Sequence, residues 1–108
     1  MGDKALGSFE YAILSVLINQ PKDAYGATLQ ERLEASTGKE PTLGAIYTAL
    51  DRLIAKGFVT SKWGEPTAER GGRRKRYYSI EGSGREAVRR TEEMFKPVPD
   101  RGFAMGVS

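Results

Sequence analysis

Apolar residues recur with helical spacing up to position 57 and with strand spacing just beyond it. Phe9, Ala12, Ile13, Val16 and Leu17 fall at i, i+3, i+4, i+7 and i+8, the stripe of one helix face. Ser8 is the expected cap of this first helix, and Asn19-Gln20-Pro21 ends it, because proline disfavours helical geometry in the residue before it. Asp23 is the expected cap of a second helix, in which Tyr25, Leu29 and Leu33 recur every four residues and Gly38 is the stop. A linker from Glu34 to Pro41, longer than a minimal turn, precedes a third helix opened by Pro41-Thr42. Its apolar face is Leu43, Ile46, Leu50, Leu53 and Ile54, and Lys56-Gly57 closes it.

After Gly57 the period changes. Phe58 to Trp63 reads as a strand, and Gly64 to Gly72, with three glycines and a proline, as a loop. Arg74 to Ile80 reads as a second strand, with Arg76, Tyr78 and Ile80 on one face and Lys75, Tyr77 and Ser79 on the other. Ser83-Gly84-Arg85-Glu86 has the form of a capping box, opening a fourth helix with Ala87, Val88, Thr91, Met94 and Phe95 that stops before Pro97. The order predicts a mainly α fold with a small β-hairpin (α+β), a winged helix-turn-helix of three helices, a two-stranded wing and a C-terminal helix.

Composition removes whole classes of chemistry. The 108 residues include no cysteine and no histidine, so disulfides, thiolate metal sites and histidine-based triads are excluded. No Gly-x-x-x-x-Gly-Lys-Ser/Thr or dinucleotide-binding glycine pattern occurs, and Glu92 and Glu93 are adjacent, pointing to different helix faces. No catalytic residue, metal site or cofactor is expected. Apolar runs are too short to span a bilayer, so the expectation is a soluble cytoplasmic protein without a membrane partner.

Charge is unevenly placed. The net charge is +3, yet residues 1–40 carry four Lys/Arg against six Asp/Glu, whereas residues 70–108 carry ten against five. Five of those ten lie between Arg70 and Arg76, a cluster suited to a polyanion, with duplex DNA the first candidate. A solvated loop charged only for solubility is the plainer alternative. The outward face of the third helix, Gly44, Ala45, Thr48, Asp51, Arg52 and Ala55 with Tyr47 at its border, has small residues near its start that admit close approach to a groove. Thr48 and Arg52 offer hydrogen bonds to base edges or phosphates, and Tyr47 to a phosphate oxygen.

Asp23-Ala24-Tyr25-Gly26, the run from Thr42 to Leu53, Lys56-Gly57-Phe58-Val59 and the run from Arg73 to Ile80 together resemble the PadR family of bacterial transcriptional regulators. The likeness covers about residues 8–90. It implies a winged helix at residues 1–82 that binds DNA and a dimerisation helix at 83–96, and the glycines after Pro97 and Pro99 add the expectation of a flexible tail at 97–108. It also implies a homodimer, commonly a repressor, on a two-fold symmetric operator, in some members released by a small aromatic effector. The expected DNA contacts are Tyr25, Thr42, Gly44, Ala45, Tyr47, Thr48, Arg52, Arg70, Arg73, Arg74 and Lys75. Phe9, Ile13, Val88, Thr91, Met94 and Phe95 are the expected dimer interface, with Phe103 and Met105 as additions, and Trp63, the only tryptophan, reads first as a hairpin residue packing on the third helix or the wing and otherwise as the contact for such an effector. A winged-helix module binding protein or RNA, without operator reading, is the alternative.

Overall fold

The computed structural model describes residues 6–65 and 74–95. Residues 66–73, with Arg70 and Arg73 of the expected wing loop, and the residues from 96 onward, with the expected stop at Pro97 and with Phe103 and Met105, lie outside that range. Element order is α1 (Ser8–Asn19), α2 (Gly26–Thr37), α3 (Leu43–Ala55), β1 (Val59–Trp63), β2 (Arg76–Ile80) and α4 (Gly82–Met94). This is the winged helix-turn-helix that the pattern predicted.

One core joins every element. Ile13, Leu14 and Leu17 of α1, Leu29 and Leu33 of α2, and Ile46, Leu50 and Leu53 of α3 are fully buried. Val59 and Tyr78 bring the hairpin onto them, and Ala87 and Val88 bring in the first half of α4. The hairpin is antiparallel, with Val59 opposite Ile80 and Trp63 opposite Arg76. A backbone bond from the Tyr78 N–H to the Ala24 carbonyl, 2.9 Å, then fastens β2 to the loop before α2.

Helix ends decide how the elements meet. Thr42 caps α3 as expected, its hydroxyl accepting from the Ala45 N–H at 3.0 Å. Gly57, at φ 82°, takes the left-handed turn that sends the chain from α3 into β1. The other caps differ from expectation. Gly7, not Ser8, precedes α1, because the Glu10 carboxylate folds back to accept from the Gly7 N–H at 3.0 Å. Asp23 sits at φ 54° in the left-handed region, where it turns the chain, and Tyr25 precedes α2 with its N–H bonded to the Thr28 hydroxyl. Ser83 lies inside α4, because its hydroxyl donates to the Gly57 carbonyl at 2.6 Å, and Glu81 stands at the cap. Helix α2 continues to Thr37, so the connection to α3 is the five residues 38–42 rather than Glu34 to Pro41.

Two ties hold α1 in place. Lys56 and Glu10 form a 2.9 Å ion pair between the end of α3 and the first turn of α1, with the Glu10 side chain only 8% exposed. Burial pushes the Glu10 carboxyl up. The hydrogen bonds from Lys56 and the Gly7 N–H, with the charges of Lys56 and Arg52, outweigh that and hold it below the ordinary carboxylate range. On the far side the Tyr11 hydroxyl donates to Glu92 at 2.8 Å, linking α1 to α4.

Candidate nucleic-acid interface

The exposed side of α3 divides into two stripes. Gly44, Ala45, Thr48 and Arg52 form an outward ridge, all solvent-exposed. Leu43, Tyr47 and Asp51, spaced every fourth residue, turn toward the hairpin instead. Leu43 was expected in the core. It is 41% exposed, because the first turn of α3 overhangs the core edge, and Ala49 takes the buried place on that helix. Arg52 lies near enough to Glu10 to contribute to lowering its pKa, so this guanidinium serves the α1 tie as well as the ridge.

A groove of about 550 Å³ runs between this second stripe, the start of α2 and the hairpin. Tyr25, Gly26 and Ala27 form its floor, Leu43, Tyr47 and Asp51 one wall, and Trp63, Arg74, Lys75, Arg76 and Tyr78 the other. Three consecutive cations of the hairpin thus face one carboxylate of α3, a rim that attracts anions.

Each cation is held in a definite way. The Lys75 ammonium sits 4.8 Å from the centre of the Tyr25 ring, and Tyr25 meets Tyr77 edge-on at 5.5 Å. The Arg76 guanidinium lies 5.8 Å from the Trp63 ring and 5.6 Å from the Tyr78 ring, while its Nε donates to the Ser61 hydroxyl at 2.9 Å. Arg74 is exposed on the groove rim. Burial pushes the Tyr78 hydroxyl pKa up, against the lowering influence of Arg76, so this phenol stays protonated.

Of the sequence-predicted residues, Tyr25, Tyr47, Arg74 and Lys75 meet around the groove, whereas Thr42 at the cap of α3 and Gly44, Ala45, Thr48 and Arg52 on its ridge are exposed outside it. Arg70 and Arg73 fall outside the described residues. Arg76, part of the basic cluster in the sequence but not among the expected contacts, also lines the groove. Its position at the last rung of the hairpin, opposite Trp63, is what leaves it exposed. Gly26 was missed also, because only packing reveals what its bare Cα admits.

The expected interface residues separate by burial. Ile13 and Val88 lie in the chain's own core, since the α1 and α4 stripes that suggested them are already covered by the other elements. Phe9 and Thr91 are half-buried, whereas Met94 and Phe95 are 76% and 78% exposed. A hollow of about 450 Å³ between Leu6, Tyr11, Thr91 and Phe95 lies beside them.

An exposed helix ridge, a basic antiparallel hairpin and a groove between them define a winged helix-turn-helix of the kind found in DNA-binding regulators. The model of the transcriptional regulator PadR-like family matches residues 13–90, and the chain belongs to that family. A PadR family transcription regulator from Clostridium difficile R20291 has a similar fold, with TM-score 0.66 and 22% identity over 82% of this chain and 88% of that one. A transcriptional regulator from Clostridium thermocellum superposes with TM-score 0.66 at 25% identity, over 80% of each chain. Bacillus subtilis PadR in complex with operator DNA superposes with TM-score 0.66 at 21% identity, over 93% of this chain and 56% of that one. No curated protein matches the chain significantly. Among the described residues no helix is long and apolar enough to cross a membrane.

Proposed function

We propose that this regulator acts as a homodimeric, sequence-specific DNA-binding repressor on a two-fold symmetric operator. What supports it is the groove that sets Leu43, Tyr47 and Asp51 of α3 against Arg74, Lys75 and Arg76 of the hairpin, with the rest of the outer side of α3 exposed to solvent. In this reading Thr48, with Gly44 and Ala45 clearing the way, reads base edges in the major groove, and Arg52 and Thr42 hold flanking phosphates. The Thr42 hydroxyl accepts the Ala45 N–H and keeps its own proton to donate. Arg74 and Lys75, with Arg70 and Arg73 further along the wing, neutralise backbone phosphates, and Tyr25 and Tyr47 line the path between them. That the superposed Bacillus subtilis protein was captured with operator DNA supports the assignment.

Dimerisation is assigned to α4. Met94 and Phe95 are large apolar side chains left largely exposed at the end of α4, and Thr91 shares the adjoining hollow with Phe95. A second copy covering this patch would set two α3 ridges at the half-site spacing of one helical turn, about 34–36 Å, or a multiple of it. Trp63, 59% exposed beside the groove, is the proposed contact for a small aromatic effector. The reading places the protein in the cytoplasm, with the chromosome. Selection of duplexes from a random pool, followed by a salt titration on the enriched sequence, tests the function. Enrichment of a palindrome supports it, and a pool that stays random contradicts it.

A further inference from the structure

The first turn of α2 presents a buried glycine to α3. A Cβ on Gly26 would overlap the Tyr47 hydroxyl outright and would stand 2.8 Å from Cζ and 3.2 Å from Cε1. The phenol of Tyr47 thus fills the space that any other residue at position 26 would need. Gly26 lies within the helix without a positive φ, so what glycine supplies here is room and not conformational freedom. The preceding residue is gripped from the opposite side. Tyr25 meets Tyr77 edge-on, carries Lys75 over its face, and follows Ala24, whose carbonyl holds the Tyr78 N–H. The Tyr25-Gly26 step therefore touches both walls of the groove, the hairpin through Tyr25 and α3 through Gly26.

We propose that Gly26 is a positioning residue for DNA recognition, acting through Tyr47. Its bare Cα seats the Tyr47 phenol against α2, which fixes the hydroxyl relative to Arg74, Lys75 and Arg76 across the groove. One DNA strand then meets a preorganised groove rather than a tyrosine free to swing into its path. The inference rests on the DNA-binding reading above. Tyr47 is 43% exposed, so a methyl group at position 26 can push the ring outward without disturbing the core. Alanine is also the better helix former. At Gly84 the situation is reversed, since a Cβ there would meet the Phe58 backbone carbonyl at 2.5 Å, which cannot swing away.

The test is a double-mutant cycle in the full chain. Affinity for a duplex enriched by the wild-type chain is measured for wild type, Gly26→Ala, Tyr47→Ala and the double variant, at a salt concentration where all binding is measurable. Thermal midpoints are recorded beside Gly84→Ala. Gly26→Ala should bind roughly tenfold more weakly, the order expected for one misplaced hydrogen bond to a charged group. It should melt no lower than wild type and add no further loss to Tyr47→Ala. Unchanged affinity, the same loss in both backgrounds, or a fall in melting like that of Gly84→Ala would overturn the proposal. A wild type that enriches no duplex would overturn the DNA reading with it, whereas an additive cycle on a working regulator would remove only the role of Gly26.

Discussion

The ammonium group of Lys75 lies 4.8 Å from the centre of the Tyr25 ring, so a cation at the start of the second arm of the hairpin rests on the residue that opens α2. The hairpin and the helix-turn-helix are thus joined at the groove by a charge as well as by backbone. Arg74, next along the chain, is exposed on the same rim.

Charge on this rim should supply affinity without sequence preference. Arg74→Ala with Lys75→Ala is expected to weaken binding to enriched and random duplexes alike. The slope of log affinity against log salt should flatten by about 0.9 for each phosphate that the variant no longer neutralises. Titrations of both duplexes at several salt concentrations check this. An unchanged slope would show that these two residues do not meet phosphate.

Thr48, on the ridge of α3, should behave in the opposite way. Thr48→Ala is expected to cost about 1–3 kcal/mol on the enriched duplex and little on random DNA, as removal of a hydrogen bond to a base edge does. Equal losses on both would reassign Thr48 to the backbone.

Much of this arrangement was legible in the sequence, and the reasons for the exceptions are local. Helix α3 was clear because Thr42 and Gly57 mark its ends chemically and its apolar residues keep a helical period. The starts of α2 and α4 were not, because Asp23 and Ser83 are good capping residues with other work. Asp23 turns the chain at positive φ and Ser83 binds the Gly57 carbonyl across the fold. Leu43 misled for another reason. Periodicity says which way a side chain points, not whether anything lies there to cover it. The ridge and the basic strand could be named from the sequence, but the groove between them depends on tertiary packing of Gly26, Trp63 and Arg76, which no local pattern encodes.

The buried carboxylate at Glu10 gives a pH prediction. Its pKa is lowered in the folded chain, so the unfolded chain takes up the proton first. The stabilisation is therefore complete at neutral pH and falls away as pH drops below about 4.5 and through the lowered folded value. Glu10→Gln should cost about 1–3 kcal/mol at pH 7, the loss of one charge-assisted, part-buried pair with Lys56. The gap from wild type should narrow in acid. Urea unfolding at a series of pH values checks this, and a gap constant from pH 7 to pH 3 would contradict it.

The apolar end of α4 predicts the oligomeric state. Wild type should have the mass of a dimer by light scattering at micromolar concentration, and Met94→Glu with Phe95→Glu should yield the monomer. Both side chains are more than three-quarters exposed in the single chain, so the charges should leave its helix content unchanged. A monomeric wild type would end the assignment of α4, and a dimeric double variant would move the interface elsewhere.

If α3 and the wing read a DNA sequence, the chain must tell one duplex from another at equal charge. The wild-type chain is titrated onto its enriched duplex and onto a random duplex of equal length at matched salt. A sequence-reading regulator predicts binding to the enriched duplex at least about a thousandfold tighter, with both affinities falling steeply as salt rises. Equal affinity for the two duplexes, or binding indifferent to salt, would contradict it.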